Sequence, residues 1–188
     1  MKKEEENNIE EEFFHFVCSH TSYSFPKILE VGCGKGRAAN FMRKMADSLC
    51  LIDIDEKAVE YVKTQMENTK NVEVKCMTSK EANGTYDIIY YFLSLHHIDD
   101  TEEELKQAKR LLRNDGQLFI CEYIPNSVYP MHKHDKVPWE GFSTQDLSER
   151  LGKNGFVIKH IDELHSLEYH IDKVTVSYII YAINAIKK

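Results

Sequence analysis

A chain that turns on three closely spaced glycines between a buried strand and a helix is committed to an α/β plan. Ile28-Leu29-Glu30-Val31-Gly32-Cys33-Gly34-Lys35-Gly36-Arg37-Ala38-Ala39 is such a stretch. Lys27 to Val31 is an apolar run interrupted by Glu30, and beyond the turn Ala38, Phe41, Met42 and Met45 repeat with a helical period. A turn of this kind lets a ligand approach the backbone and offers it unpaired amides and the positive end of a helix. The spacing separates ligand classes. A dinucleotide fingerprint, G-x-G-x-x-G, needs its third glycine at position 37, where Arg37 stands. A phosphate-binding P-loop fails too, because Leu29 occupies its first glycine position and Gly36 follows Lys35.

The pattern left, acidic-x-Gly-x-Gly-x-Gly, resembles the first motif of class I S-adenosylmethionine-dependent methyltransferases. The resemblance implies that Glu30 and the backbone of Gly32, Cys33, Gly34 and Gly36 line the methionine part of that cofactor. A second strand, Leu49 to Ile54, carries Asp53 at a position 21 residues after Gly32. That is the offset at which a carboxylate reaches a ribose in a nucleotide-binding β-α-β unit, and two acceptor oxygens suit two vicinal hydroxyls. Ile54, next to it, is assigned to the same cofactor site. The plainer reading of Asp53 is a turn residue at a strand end. Asp55 is a natural N-cap for a helix with Ala58, Val59, Val62 and Met66 on one face.

A third strand runs from Asn71 to Met77. In the family an acid often follows it and contacts the adenine amino group; here Thr78 and Ser79 stand in that place, each with one hydroxyl to offer. After the turn Asn83-Gly84-Thr85, the segment Tyr86 to Ile98 looks like the fourth strand and exit of small-molecule methyltransferases. That alignment puts Tyr91 and Phe92 beside the sulfonium and His96 or His97 at the mouth of the site. The Asn/Asp-Pro-Pro-aromatic motif of enzymes that methylate exocyclic base amines or Gln side chains is absent.

Thr101-x-x-Glu104 reads as a capping box opening a helix with Leu105, Ala108 and Leu112 on one face, and Asn114-Asp115-Gly116 turns the chain into a fifth strand, Gln117 to Ile124. The irregular stretch Pro125 to Phe142 carries Tyr129, His132, His134, Asp135 and Trp139. The resemblance places substrate-binding elements there. His132 and His134 are therefore candidate catalytic groups with His97, against the plainer reading of surface histidines; no metal site is expected. Ser143-x-x-Asp146 caps another helix, Val157 to Ile161 is a sixth strand, and Val174 to Ile186 a seventh.

Helices alternating with strands predict an α/β fold, a single doubly wound sheet covered on both faces. The resemblance supplies a Rossmann-like seven-stranded sheet of order 3-2-1-4-5-7-6 with strand 7 antiparallel, occupying 27–188. Residues 1–26 precede it, an acidic run and then Phe13, Phe14, Phe16 and Val17, and read either as a packed amphipathic helix or as a lid. The 188 residues suit one core, and no apolar run reaches the ~20 residues of a membrane span. No signal-peptide core is visible, so the expected location is cytoplasmic. Five scattered cysteines without a C-x-x-C pair are expected to be small buried apolar residues. A formal charge of -7 argues against nucleic acid as a partner. The expected function is methyl transfer from S-adenosyl-L-methionine to a small-molecule acceptor by in-line displacement, in a monomer or homodimer. A non-catalytic protein that binds the cofactor or S-adenosylhomocysteine and a nicotinamide-dependent oxidoreductase are the alternatives.

Overall fold

The computed structural model describes residues 9–125, 137–171 and 174–188. Helix α1 (Ile9–His20) is followed by β1 (Lys27–Val31), α2 (Ala39–Met42), β2 (Ser48–Asp53), α3 (Glu56–Met66), β3 (Val72–Cys76), β4 (Tyr86–Phe92), α4 (Thr101–Leu111), β5 (Leu112–Tyr123), α5 (Thr144–Lys153), β6 (Phe156–Ile171) and β7 (Val174–Lys187). A single 3-10 turn, Leu95–His97, lies between β4 and α4. The sheet has the order β3-β2-β1-β4-β5-β7-β6, with β7 antiparallel to both neighbours and the other pairs parallel. This is the Rossmann-like doubly wound α/β sheet expected.

Period-2 alternation in the strands splits the core in two. Ile28, Ile88, Tyr90, Phe92, Phe119 and Cys121 face α1, α2 and α3, while Leu29, Val31, Ile89, Tyr91, Leu118 and Ile120 face α4 and α5. Between the two readings of the segment before β1, the packed helix is what α1 forms. Ile9, Phe13, Phe16 and Val17 are buried, and the Phe13 ring lies 5.9 Å from that of Tyr90 and 5.4 Å from that of Phe92.

Several local expectations are corrected. The helix after the glycine turn is four residues long, because the backbone returns to turns at 43–45; it supplies no extended dipole. Helix α4 is capped by Asp100, whose carboxylate accepts from the Glu103 amide, and Glu104 is drawn inward instead of closing a capping box with Thr101. Asp115 does take a left-handed conformation, φ 61°, but inside a strand that already begins at Leu112 and whose register with β4 shifts there. β6 runs on to Ile171, far past Ile161. Cys33, Cys50 and Cys121 are buried, whereas Cys18 and Cys76 are exposed.

Glu104 explains another departure. The hydroxyls of Ser79 and Tyr91 both donate to its carboxylate, each at 2.6 Å, in a buried cluster on the α4 face. Arg110 adds hydrogen bonds to the carbonyls of Ser79 and Ala82 at 3.0 and 3.1 Å. The connection after β3 is thereby stapled to α4. Tyr91→Phe removes one donor from a buried carboxylate and is expected to lower stability by about 1–3 kcal/mol. Because this hydroxyl points away from Glu30, ligand affinity should not change; a denaturant melt beside a calorimetric titration checks both.

Candidate functional site

The C-terminal ends of β1, β2, β4 and β5 meet at one edge of the sheet, where an open α/β fold leaves a crevice. The glycine turn forms its floor. Gly32, Gly34 and Gly36 all have positive φ, 71°, 49° and 70°. A Cβ on Gly32 would stand 2.7 Å from the Ser94 Cβ and one on Gly36 3.3 Å from the Val62 methyls, so these two are fixed by packing against the protein. A Cβ on Gly34 would meet no heavy atom within 4 Å. Of the three, Gly34 is the one with open space beside it. The turn does not present a row of free amides, contrary to expectation. The N–H groups of Gly32 and Cys33 donate to the Ile52 carbonyl, that of Gly36 to the Cys33 carbonyl and that of Gly34 to Asp53 Oδ2 at 2.7 Å.

Asp53 thus holds the turn as well as facing the crevice. Its Oδ1 accepts from the Asp55 amide at 2.9 Å, and a carboxylate with about four lone-pair sites keeps two for a ligand. Ile54 beside it is 74 % exposed, a large apolar side chain left uncovered at the mouth of the crevice. Thr78, two residues beyond β3, donates through both its amide and its hydroxyl to Glu81 Oε2, each at 2.8 Å. Those two bonds, the amide's first, hold the exposed Glu81 carboxyl below the usual carboxylate range. The hydroxyl of Ser79 donates to Glu104 at 2.6 Å on the α4 side of the sheet.

Glu30 lies on the α1 face, 1 % exposed, and receives the Tyr90 hydroxyl at 2.7 Å. Burial pushes its carboxyl up to about 8, the Tyr90 hydrogen bond pulling it down and the nearby Asp53 charge pushing it further up. The Cys33 thiol is driven upward by burial and by Glu30 and Asp53, which leaves it without thiolate character. Phe92 stays on the Glu30 side, with the Arg37 guanidinium 5.9 Å from its ring centre. Tyr91 does not: it is fully buried on the opposite face, and the expectation that it flanks the sulfonium is corrected by the pleat of β4. Leu93, the next residue after that strand, has φ 51°, a strained conformation of the kind that concentrates at functional sites.

In the 3-10 turn after β4 the two adjacent histidines part company. His97 is exposed, while His96 is buried with Glu122, Nδ1 to Oε1 at 2.8 Å. Glu122 also accepts from the amides of His96 at 3.2 Å and Tyr123 at 2.8 Å. The Trp139 indole N–H donates to the Ile98 carbonyl at 3.0 Å and closes the chain back onto the 3-10 turn. The other candidates, His132 and His134, lie outside the described residues, as do Tyr129 and Asp135. Sequence reasoning missed Tyr90, Glu81 and Glu122. An acid inside a strand, as Glu122 is in β5, was the one available signal.

The sheet order and the glycine turn between β1 and α2 are those of the class I methyltransferase fold. A family model described as a methyltransferase domain matches residues 9–161. The chain belongs to that S-adenosylmethionine-dependent methyltransferase family, and S-adenosylmethionine is the cofactor the family uses. It is 25% identical over 121 residues to a probable S-adenosylmethionine-dependent methyltransferase of Mycobacterium tuberculosis, covering 64% of this chain and 43% of that protein. A mitochondrial arginine-hydroxylase of Danio rerio is 25% identical over 173 residues, 82% of this chain and 50% of that one. The chain spans about half the length of these curated relatives. Magnesium protoporphyrin IX methyltransferase of Synechocystis, solved with S-adenosylmethionine bound, has the same fold at a TM-score of 0.71 and 14% identity, over 95% of this chain and 78% of that one. Among the described residues no helix is long and apolar enough to cross a membrane.

Proposed function

We propose that this chain transfers a methyl group from S-adenosylmethionine to a small-molecule acceptor at the ends of β4 and β5. The observation that carries the reading is the open face of Gly34 beside the Asp53 carboxylate at the tip of β2, which accepts its amide. The residues present fit the cofactor. Asp53 keeps acceptor capacity for ribose hydroxyls, Ile54 offers apolar area to the adenine, and the exposed Glu81 carboxylate beyond β3 is an acceptor available for the exocyclic amine. Glu30 serves the amino-acid end, and Phe92 flanks the reacting end from β4.

When bound, the cofactor supplies a methyl already activated on a sulfonium. What the chain adds is alignment and exclusion of water. Positioning contributes roughly 7–11 kcal/mol to such a displacement, whereas a general base adds about 10²- to 10⁴-fold, or roughly 3–5 kcal/mol. His97→Ala is accordingly expected to retain turnover within about tenfold, since the ring is exposed and alignment, the greater contribution, does not depend on it. Loss of all turnover with cofactor affinity intact would make His97 an essential base. The function itself is tested by incubating the full chain with S-adenosylmethionine and a panel of phenols, carboxylic acids, amines and thiols, and identifying products by mass. A methylated product formed in step with S-adenosylhomocysteine supports the reading; tight cofactor binding with no product across the panel favours a binding protein.

A further inference from the structure

A second opening lies between α1 and the edge strand β6, and none of the residues lining it belongs to the glycine turn, β2 or β4. It is a groove of about 580 Å³, with Glu12, Phe16 and His20 of α1 on one wall and Asp162, Glu163 and Leu164 of β6 on the other. The strand register builds its floor. Residues opposite one another in an antiparallel pair share a face of the sheet. Phe119 of β5, Asn184 of β7 and His160 of β6 therefore form one row, and Cys121, Ala182 and Asp162 form the next. Helix α1 covers the first row at both ends, with the Phe16 ring 6.1 Å from that of Phe119 and the His20 ring 4.0 Å from that of His160. In the second row Ala182 contributes only a methyl group, so the floor there is low.

Two independent observations give the groove its chemistry. Among the described residues no lysine or arginine lines it, and neither Glu12 nor Asp162 forms an ion pair. The Asn184 side chain, in turn, is 1 % exposed and its Nδ2 has no hydrogen-bond partner. Buried amide N–H groups are nearly always paired, because leaving one unpaired is costly. Its place between Phe119 and His160 sets this donor in the floor beneath α1. Adjacent rows on one face are two residues apart, which is about 7 Å along a strand. We propose that the groove is a binding site for a small organic cation with a hydrogen-bond acceptor about 7 Å from its charge, the cation lying between Glu12 and Asp162 and the acceptor meeting the Asn184 N–H. Phe16 and Leu164 suit the apolar stem that joins the two ends. A ligand so held joins α1 to the edge of the sheet. No residue of the methyl-transfer crevice takes part, so the site stands or falls apart from that reading.

The test is a titration of the isotope-labelled full chain followed by NMR at neutral pH. The probe is δ-aminovaleramide, an ammonium and an amide carbonyl joined by a short methylene chain; n-pentylamine lacks its carbonyl and valeramide its ammonium. The probe should shift the backbone amides of Ser19, His20 and Asp162, which line the groove, and bind with a Kd on the order of a millimolar, the range open to a ligand of this size. The parent chain should bind n-pentylamine at least about threefold and valeramide at least about tenfold more weakly than the probe. Asp162→Asn and Glu12→Gln, neither of them at a buried position, should each weaken the probe at least about fivefold without changing the thermal melt. Asn184→Ala should bind the probe and n-pentylamine alike, since the donor that tells them apart is gone. Equal affinity of the parent chain for the three compounds, unchanged affinity for the probe in Asp162→Asn, or shifts confined to the glycine turn overturns the proposal. Absence of any shift at probe concentrations well above a millimolar overturns it too.

Discussion

Gly34→Val is expected to abolish cofactor binding while the chain stays folded. The three turn glycines look alike in sequence but differ in what surrounds them. A side chain at Gly32 would run into Ser94 and one at Gly36 into Val62, so substitution there disturbs the fold first. At Gly34 a Cβ meets nothing within 4 Å, and the protein's own packing does not oppose it. The remaining cost is conformational: φ is 49°, and an L residue there costs about 1–2 kcal/mol. Two methyl groups pushed into the crevice should then weaken S-adenosylhomocysteine by more than about a hundredfold, about 2.7 kcal/mol. Calorimetric affinity with a thermal melt on the same sample separates the two effects. Affinity within tenfold of the parent chain would move the ligand away from this turn.

The second large effect is on stability against pH. Glu30 keeps its proton in the folded chain up to about 8, whereas its ordinary value is 4.5. Between those limits the folded state binds more protons than the unfolded one, so stability must fall as pH rises. The contribution is fully present below pH 4.5 and is lost by about pH 8, at up to about 1.4 kcal/mol per pH unit. Glu30→Gln removes this slope and should be more stable than the parent at pH 8 by on the order of 3 kcal/mol. Urea denaturation of both proteins at pH 5, 6.5 and 8 measures the difference, in which the remaining titrating groups cancel. Parallel curves for the two proteins would mean that Glu30 is ionised in the fold.

Both expectations begin from residues legible in the amino-acid sequence. Gly32, Gly34 and Gly36 announced the turn because few other residues adopt positive φ there, and Asp53 announced itself by its distance from them. Strand existence followed from short β-branched and apolar runs, and Asp55 and Ser143 do cap their helices as their residue types foretold. Ends and exceptions were harder to read. The helix after the turn stops at Met42, and the sixth strand runs on to Ile171. The length of β6 is set by its antiparallel pairing with β7, which no local preference of its residues announces.

The residues by themselves fixed the alternation of strands and helices, the glycine turn and the acid opposite it, since those depend on backbone conformation and on separation along the chain. The sheet order came from resemblance, and the structure bears it out. Only the folded arrangement decided which face each side chain serves. A one-residue step along β4 sends Tyr90 to Glu30 and Tyr91 to Glu104, on opposite sides of the sheet. It also decided which of two adjacent histidines meets Glu122 and that Glu81 reaches back to Thr78. Such pairings join residues brought together by the packing of separate elements or by one turn's path, and they depend on distance in space, which residue order does not encode directly.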